Sequence, residues 1–447
     1  VEQSTPSPFS EPPGRPENYP LWHGSTPMEL FLEHTVRTEK FFVEGQGIRV
    51  RDAGGRWFID GRSGCWNMGL GYSAQGVKDA IARQLDELPT ATLLSYDRPA
   101  QVTVRYARAL VDAVGGGLDY LRLGNTGSQM TETAVMMSRF MRVLEGNPSR
   151  TAVLSFAGSY HGLGPGGNAI SGMAAGFDFC GPLLPDVHLV PAAGSWTDNV
   201  RAKIEELSAE RVTCVILEPQ MGVMGVIPDA DDLRELARLC RQHGIHFIAD
   251  EVTTGFGRIG AMSRCVDLGI RPDMLVLGKN LTSGYVPIAA LLVTGEIYEK
   301  AARPNPPRFL PAGSATDGHP VAAAAGLAVL DIFERDGILA HVRTIGAHLS
   351  EQLGAIQEKR LGESRVAGAG LMLSFPLSES GGQSWPVPRR EAFRRACEDR
   401  GLLVSSGAVG AWIVPPLVTT AEDGDEIAAI VDDALAAVLA ETKEGAA

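Results

Sequence analysis

With 447 residues, 44% of them hydrophobic, the chain can form roughly two or three domains around a large core, which excludes global disorder. A net charge of −13 and a pI near 5.2 leave no basic surplus to neutralise phosphates, which argues against a nucleic-acid partner. No apolar run approaches the roughly 18 residues of a membrane-spanning helix.

The first twenty residues, VEQSTPSPFSEPPGRPENYP, are rich in proline and lack both a basic and an apolar leader region. They are expected to form an extended arm or disordered tail, not a secretory signal. Six cysteines (65, 180, 214, 240, 265 and 397) stand singly with no CxxC pair, the pattern of reduced cytoplasmic thiols. Residues 48–60 alternate around Gly54-Gly55 and predict a hairpin.

From about Thr90 to Ala325, apolar strands alternate with amphipathic helices. Strands are expected at 152–156, 187–190, 212–218, 246–250, 274–277 and 289–294. A helix from about Met130 carries Met130, Ala134, Met137 and Met141 on one face. Strands separated by helices imply an α/β domain, a mostly parallel central sheet flanked by helices. After Gly318-His319-Pro320 the pattern changes to helices near 321–335 and 338–357, strands near 366–375 and 402–404, and a last helix with Ile427, Ile430, Val431, Ala434 and Leu435 on one side. This reads as a smaller α+β C-terminal domain. The expected division is residues 1–65 (N-terminal arm and small-domain segment), 66–325 (large domain) and 326–447 (C-terminal small domain). Residues 378–388 form a polar Gly/Ser/Pro loop.

An acid and an amine 29 residues apart carry the chemistry. Asp250 ends one apolar run and Lys279 ends another. Ligands of α/β sheets bind beyond the carboxyl ends of the strands, so both groups are expected at one edge. There an amine can form a Schiff base, and a carboxylate can keep a pyridinium nitrogen protonated. That pair is the minimum equipment of a pyridoxal-phosphate (PLP) enzyme.

Asn125-Thr-Gly-Ser-Gln129 opens the Met130 helix. Gly127 lets the backbone approach an anion, and Ser128 adds a hydroxyl to the helix N-terminus, although an ordinary cap has the same composition. Ser159-Tyr160-His161-Gly162 follows a strand, and Tyr160 at that place can stack on a planar ring. Glu218 ends a further strand, and a third acid at this edge needs partners. Val252 can press against a ring, while Gly255 and Gly257 make a tight turn. Other patterns fail on context. Asp250-Glu251 lacks the phosphate loop of a nucleotide-binding site. Gly162–Gly167 matches GxGxxG but contains Pro165 and leads into a Gly/Ala/Ser-rich stretch that predicts a loop. His243 and His246 straddle Gly244 without further ligands, so no metal is expected.

In order, NTGSQ, SYHG, EP, DEVTTGFGR, LGKN, DGHP and PPL resemble the class III aminotransferases, PLP enzymes of fold type I, from about Phe41 to the C-terminus. The resemblance implies PLP as cofactor and amino transfer between an amine or amino acid and a ketone or aldehyde. It implies Lys279 as the Schiff-base lysine and Asp250 at the pyridine nitrogen. Gly127 and Ser128 would hold the phosphate, Tyr160 and Val252 the two ring faces, with His161 and Glu218 nearby. It further implies a homodimer with shared active sites, in which the segment around Ser314–His319 reaches the neighbour's phosphate. Trp66 matches a pocket aromatic of the ω-transaminase branch.

The chain also departs from that family's pattern. Ala315 stands where a phosphate-binding threonine is usual, which leaves Thr316 or Ser314 for that contact. GSEA or GSDA appears as Gly127-Ser-Gln-Met130. Residues 403–410 carry no arginine to clamp a carboxylate. An aminomutase or an amino-acid racemase or epimerase on the same scaffold shares every cofactor motif, as does a protein of this fold that has lost catalysis. A requirement for a carbonyl co-substrate separates the transaminase from the mutase and racemase.

Overall fold

The computed structural model describes residues 19–24, 26–36, 40–94, 98–173, 181–306, 308–379 and 382–444. Most of the proline-rich arm and Cys180 lie outside the described residues.

The chain enters through three antiparallel strands, β1 (Phe42–Gln46), β2 (Arg49–Asp52) and β3 (Trp57–Asp60). The expected hairpin is β2–β3, turning at Gly55, whose φ of +85° suits glycine. The central sheet comprises β4 (Tyr120–Gly124), β5 (Ala152–Phe156), β6 (Val187–Val190), β7 (Val212–Leu217), β8 (His246–Asp250), β9 (Met274–Leu277) and β10 (Ala289–Val293). Its order is β4-β10-β9-β8-β7-β5-β6. The neighbours from β9 to β6 pair in parallel, and β10 runs antiparallel to both β9 and β4.

Strands β5, β7, β8, β9 and β10 are buried on both faces, which is why they read as continuous apolar runs without alternation. Successive side chains still point to opposite faces. Ile216, Ile248 and Val276 join Met130, Ala134, Met137 and Met141 of the helix Gly127–Leu144. Val215, Phe247 and Leu275 join the opposite core, with Val200, Leu233 and Leu236 from the helices Trp196–Leu207 and Ala230–Gln242.

The C-terminal part holds β11 (Ala367–Ala369), β12 (Met372–Pro376), β13 (Leu402–Leu403), β14 (Ser405–Ser406) and β15 (Gly410–Ile413). Four of these form an antiparallel sheet in the order β11-β12-β15-β14. The fifth, β13, leaves it to pair in parallel with β3, so the first and last parts of the chain share a sheet. The helices Ile338–Leu361 and Ala421–Glu444 pack on each other beside it.

Two local expectations are corrected. Residues 366–375 form a hairpin, not one strand. Gly370 turns it at φ +53°, where a Cβ would lie 2.7 Å from the Ile259 backbone. Residues 165–170 form a short helix, Pro165–Ile170, not a loop, because Pro165 at its first turn has φ preset for the helix and no N–H to satisfy. Arg258 ties the parts together from a fully buried position. Its guanidinium donates to Leu371 O (3.1 Å), Pro415 O (2.6 Å) and Ser63 Oγ (3.3 Å). Burial pushes its pKa down to about 9, opposed by the charge of Asp60.

Candidate active site

The carboxyl ends of β4, β5, β7, β8 and β9 and the start of the reversed strand β10 meet at one edge of the sheet. A cleft of about 290 Å³ opens there. Gly127, Ser128, Tyr160, His161, Asp250, Val252 and Lys279 all line it, although they come from separate loops. Three expected residues stand outside that lining. The Trp66 ring lies 5.3 Å from Lys279 Nζ. Glu218 sits beneath the Tyr160 backbone. Thr316 is exposed and donates to Asn125 Oδ1 at 3.2 Å, and Asn125 does line the cleft.

Lys279 follows β9 with φ +42°, in the left-handed region that only a well-determined surrounding sustains for a non-glycine residue. Its Nζ donates to Thr253 Oγ1 at 2.6 Å. Burial lowers its pKa below that of an ordinary lysine. The nearby Cys65, Glu218 and Asp250 act against that shift, and Arg258 adds to it. A desolvated amine of this kind is what a carbonyl-attacking lysine requires.

Asp250, 4% exposed, is fixed through both oxygens. Oδ1 accepts the Val252 N–H at 3.1 Å, and Oδ2 accepts from His161 Nδ1 at 2.7 Å. The carboxylate can only accept, so the imidazole carries its proton on Nδ1. That leaves the buried His161 Nε2 without a partner among the described residues. Glu218 is also buried, and burial raises its pKa against the influence of His161 and two backbone donors. Those donors are Tyr160 N at 2.9 Å and Gly222 N at 3.0 Å. This third acid at the edge thus shapes the Tyr160 loop.

Sequence reasoning missed several members of the site. Thr253 lies within DEVTTGFGR but gives no sign of its contact with Lys279. Glu251 reads as the second half of an acid pair. In the fold it is wholly buried and accepts from Ser263 Oγ, Arg264 N, Cys265 N and Thr254 Oγ1, pinning the loop behind Asp250. Asn125 stands in the NTGSQ motif with no sign of a role of its own. It donates to Ser314 Oγ at 2.6 Å and so hangs the 314–317 segment on the rim.

The residues present fit a phosphorylated pyridine aldehyde. The helix Gly127–Leu144 begins at the cleft, capped by Thr126, whose side chain accepts from Gln129 N. Met130 is the residue whose N–H enters the helical ladder, at Thr126 O, so the Gly127 and Ser128 N–H groups precede the ladder at the positive end of the helix, where an anion would be favoured. Glycines keep this cup open. A Cβ at Gly127 would meet Val252 Cγ1 at 2.8 Å, and one at Gly162 would meet Ser128 Oγ at 2.4 Å.

Comparison with known proteins agrees with this geometry. The family model "Aminotransferase class-III" matches residues 33–435. The chain belongs to the class III aminotransferases. It is similar to the β-alanine–pyruvate aminotransferase of Pseudomonas aeruginosa, at 31% identity over 337 residues, 71% of this chain and 75% of that protein. Its fold matches an (S)-enantioselective ω-transaminase from Thermomicrobium roseum with a TM-score of 0.87 at 28% identity, over 93% of this chain and 96% of that one. It also matches a PLP-bound amine transaminase from an uncultivated Pseudomonas species, with a TM-score of 0.84 at 29% identity, over 94% of this chain and 98% of that one.

This class III aminotransferase is thus a PLP-dependent enzyme of fold type I that moves amino groups between small-molecule donors and acceptors. The comparisons favour transfer over an intramolecular mutase or racemase. No helix among the described residues is long and apolar enough to cross a membrane.

Proposed function

We propose that this aminotransferase takes its amino group from a neutral apolar or aromatic amine in preference to an acidic amino acid such as glutamate. One observation carries the reading: two arginines on this side, Arg258 and Arg390, already hold oxygens of the protein itself. Arg258, whose charge reaches Lys279, is buried and donates from Nη1 to Leu371 O and Pro415 O and from Nη2 to Ser63 Oγ. Arg390 donates to Gly407 O and Ala408 O, the loop that itself lacks an arginine. Beside Lys279 stands Trp66, and the buried Trp412 packs against it with ring centroids 5.2 Å apart. The Trp66 Nε1–H is spent on Ser405 Oγ at 3.2 Å, so its ring offers an apolar surface. A substrate carboxylate in such surroundings loses its hydration without gaining a partner.

PLP, when bound, supplies an aldehyde that takes up an amine and a protonated ring that accepts the electron pair released at the substrate carbon. In our reading the chain does the rest. Gly127 and Ser128 bind the phosphate. Tyr160 and Val252 hold the ring between them. Asp250, steadied by His161 and the Val252 N–H, holds a proton at the ring nitrogen. Lys279, guided by Thr253, carries the proton to and from the substrate carbon through Nζ.

The test is single-turnover amination of the bound cofactor by glutamate, alanine and 1-phenylethylamine, with pyruvate, the acceptor in the Pseudomonas aeruginosa relative's name, for the return half. The neutral amine is expected to react at least roughly tenfold faster than glutamate, the discrimination an unpaired buried group imposes. A clear preference for glutamate would sink the reading and point to a carboxylate clamp elsewhere.

We further infer a homodimer in which Thr316 or Ser314 serves the neighbour's phosphate. Exposed apolar side chains support it, Trp22 at 90% and Phe309 at 80% among them. Light scattering should return twice the chain mass, and a monomer at micromolar concentration would refute it. The division at residues 65 and 325 belongs to the same reading and is supported by the pairing of β13 with β3. The five described cysteines are free and four are buried, which supports a reducing, cytoplasmic setting.

A further inference from the structure

At the edge of the sheet opposite Lys279 lies a second cavity, of about 420 Å³. It forms where β8 and β9 begin and β10 ends, between the last turns of the helices Gly127–Leu144 and Ala230–Gln242 and the helix Gly295–Ala302. Five cations line it: Arg142, Arg150, Arg241, Arg271 and Lys300. Three acids face them: Glu145, Asp273 and Glu296. In a chain of net charge −13, this cavity carries a cationic surplus.

Part of that charge is structural. Arg142 is buried and donates to Glu145 Oε2 at 2.8 Å, Thr213 O at 3.0 Å and Gly244 O at 2.9 Å. Arg150 donates to Val212 O at 2.7 Å and His243 O at 2.8 Å. Lys300 is shared between Glu296 (3.0 Å) and Glu145 (3.6 Å). Among the described residues, the exposed Arg241 and Arg271 have no comparable commitments. Arg271 makes one long bond, to Gly117 O at 3.3 Å, and Arg241 acts on Asp273 through its charge.

Two helix C-termini add roughly half a negative charge each, which reduces the surplus of two without cancelling it. His246, on the cavity wall with its Nδ1 against Ser138 Oγ at 2.8 Å, registers the result. Burial first, and then the charges of Arg142, Arg150 and Lys300, push its pKa down to about 3. It is therefore neutral at ordinary pH and adds no repulsion of its own.

We propose that this cavity binds a small multivalent oxyanion, phosphate or polycarboxylate, with Arg241 and Arg271 as its mobile clamp and Arg142, Arg150 and Lys300 as a fixed cationic wall. Guanidinium forks match both kinds of oxyanion, and the volume exceeds what inorganic phosphate alone fills.

The test is thermal unfolding of the PLP-loaded enzyme titrated with inorganic phosphate and, separately, with citrate, each against sodium chloride of equal ionic strength. A ligand of the native state raises Tm with its concentration beyond the salt control. The double variant Arg241→Ala/Arg271→Ala should weaken that response by roughly tenfold or more in apparent affinity, the worth of lost charge-assisted bonds. Its turnover should stay at the parent value, because both residues lie at the far edge of the sheet. If the double variant does not fold, Lys300→Gln serves in its place. A response to phosphate alone assigns a phosphorylated ligand, and a response to citrate alone a polycarboxylate. A response no larger than that to sodium chloride, or one that persists in the variants, overturns the site.

Discussion

Replacing Lys279 with alanine is expected to leave a folded protein whose turnover falls by at least roughly 10²–10⁴-fold, the usual worth of one positioned proton-transfer group, with loss of the covalent link to PLP on top. Folding should survive because the lost group is a buried amine whose charged form is costly there, and the Thr253 hydroxyl, which accepts from it, loses only that one donor. Borohydride reduction of the parent followed by peptide mapping should find the pyridoxyl group on Lys279, one of seven lysines in the chain. A label on another lysine would end the assignment. The pH dependence has a definite sign. Burial lowers the Lys279 pKa, so its neutral form is present at lower pH than for a lysine of ordinary value, 10.5. Attachment of PLP to the stripped enzyme should speed up with rising pH through a midpoint below 10.5. A midpoint at or above that value would mean the amine is not desolvated when it reacts.

Asp250→Asn is expected to fold, to keep at least part of its PLP, and to lose about 3–5 kcal/mol of stabilisation at the ring nitrogen, roughly 10²–10⁴ in rate. The amide is nearly the same size. Its oxygen can still accept from His161 Nδ1 or the Val252 N–H, so the loop should hold its shape. What it cannot do is balance a pyridinium charge, and the ring then no longer draws electrons from the substrate carbon. The distinguishing readout is the half-reaction with amine at saturating PLP: thermal stability close to the parent's, with proton removal slowed even in the cofactor-loaded fraction. Near-parent turnover would show that another group protonates the ring.

The strand pattern and both site residues could be read directly from the amino-acid sequence, and the physical reason is local. Strands buried on both faces must be apolar throughout, so an acid or amine where such a run stops marks the ligand edge, as Asp250 and Lys279 do. The start of the helix Gly127–Leu144 at the cleft was legible for the same reason, since a glycine opening a helix is a short-range signal. What only the tertiary structure decided lies in contacts between distant segments. His161 meets Asp250 across 89 residues, and Thr253 meets Lys279 across 26. Arg258 joins residues 113 and 157 positions away, a clamp that its place at the end of DEVTTGFGR does not announce. The hairpin at Gly370 depends on the Ile259 backbone lying against it. The cationic cavity assembles from the ends of several helices and strands, none of which is strongly basic by itself. Periodicity and strand ends report how each segment meets solvent and core, whereas these pairings depend on which segments the sheet order makes neighbours, and β10, reversed between β9 and β4, shows that the order does not follow the chain.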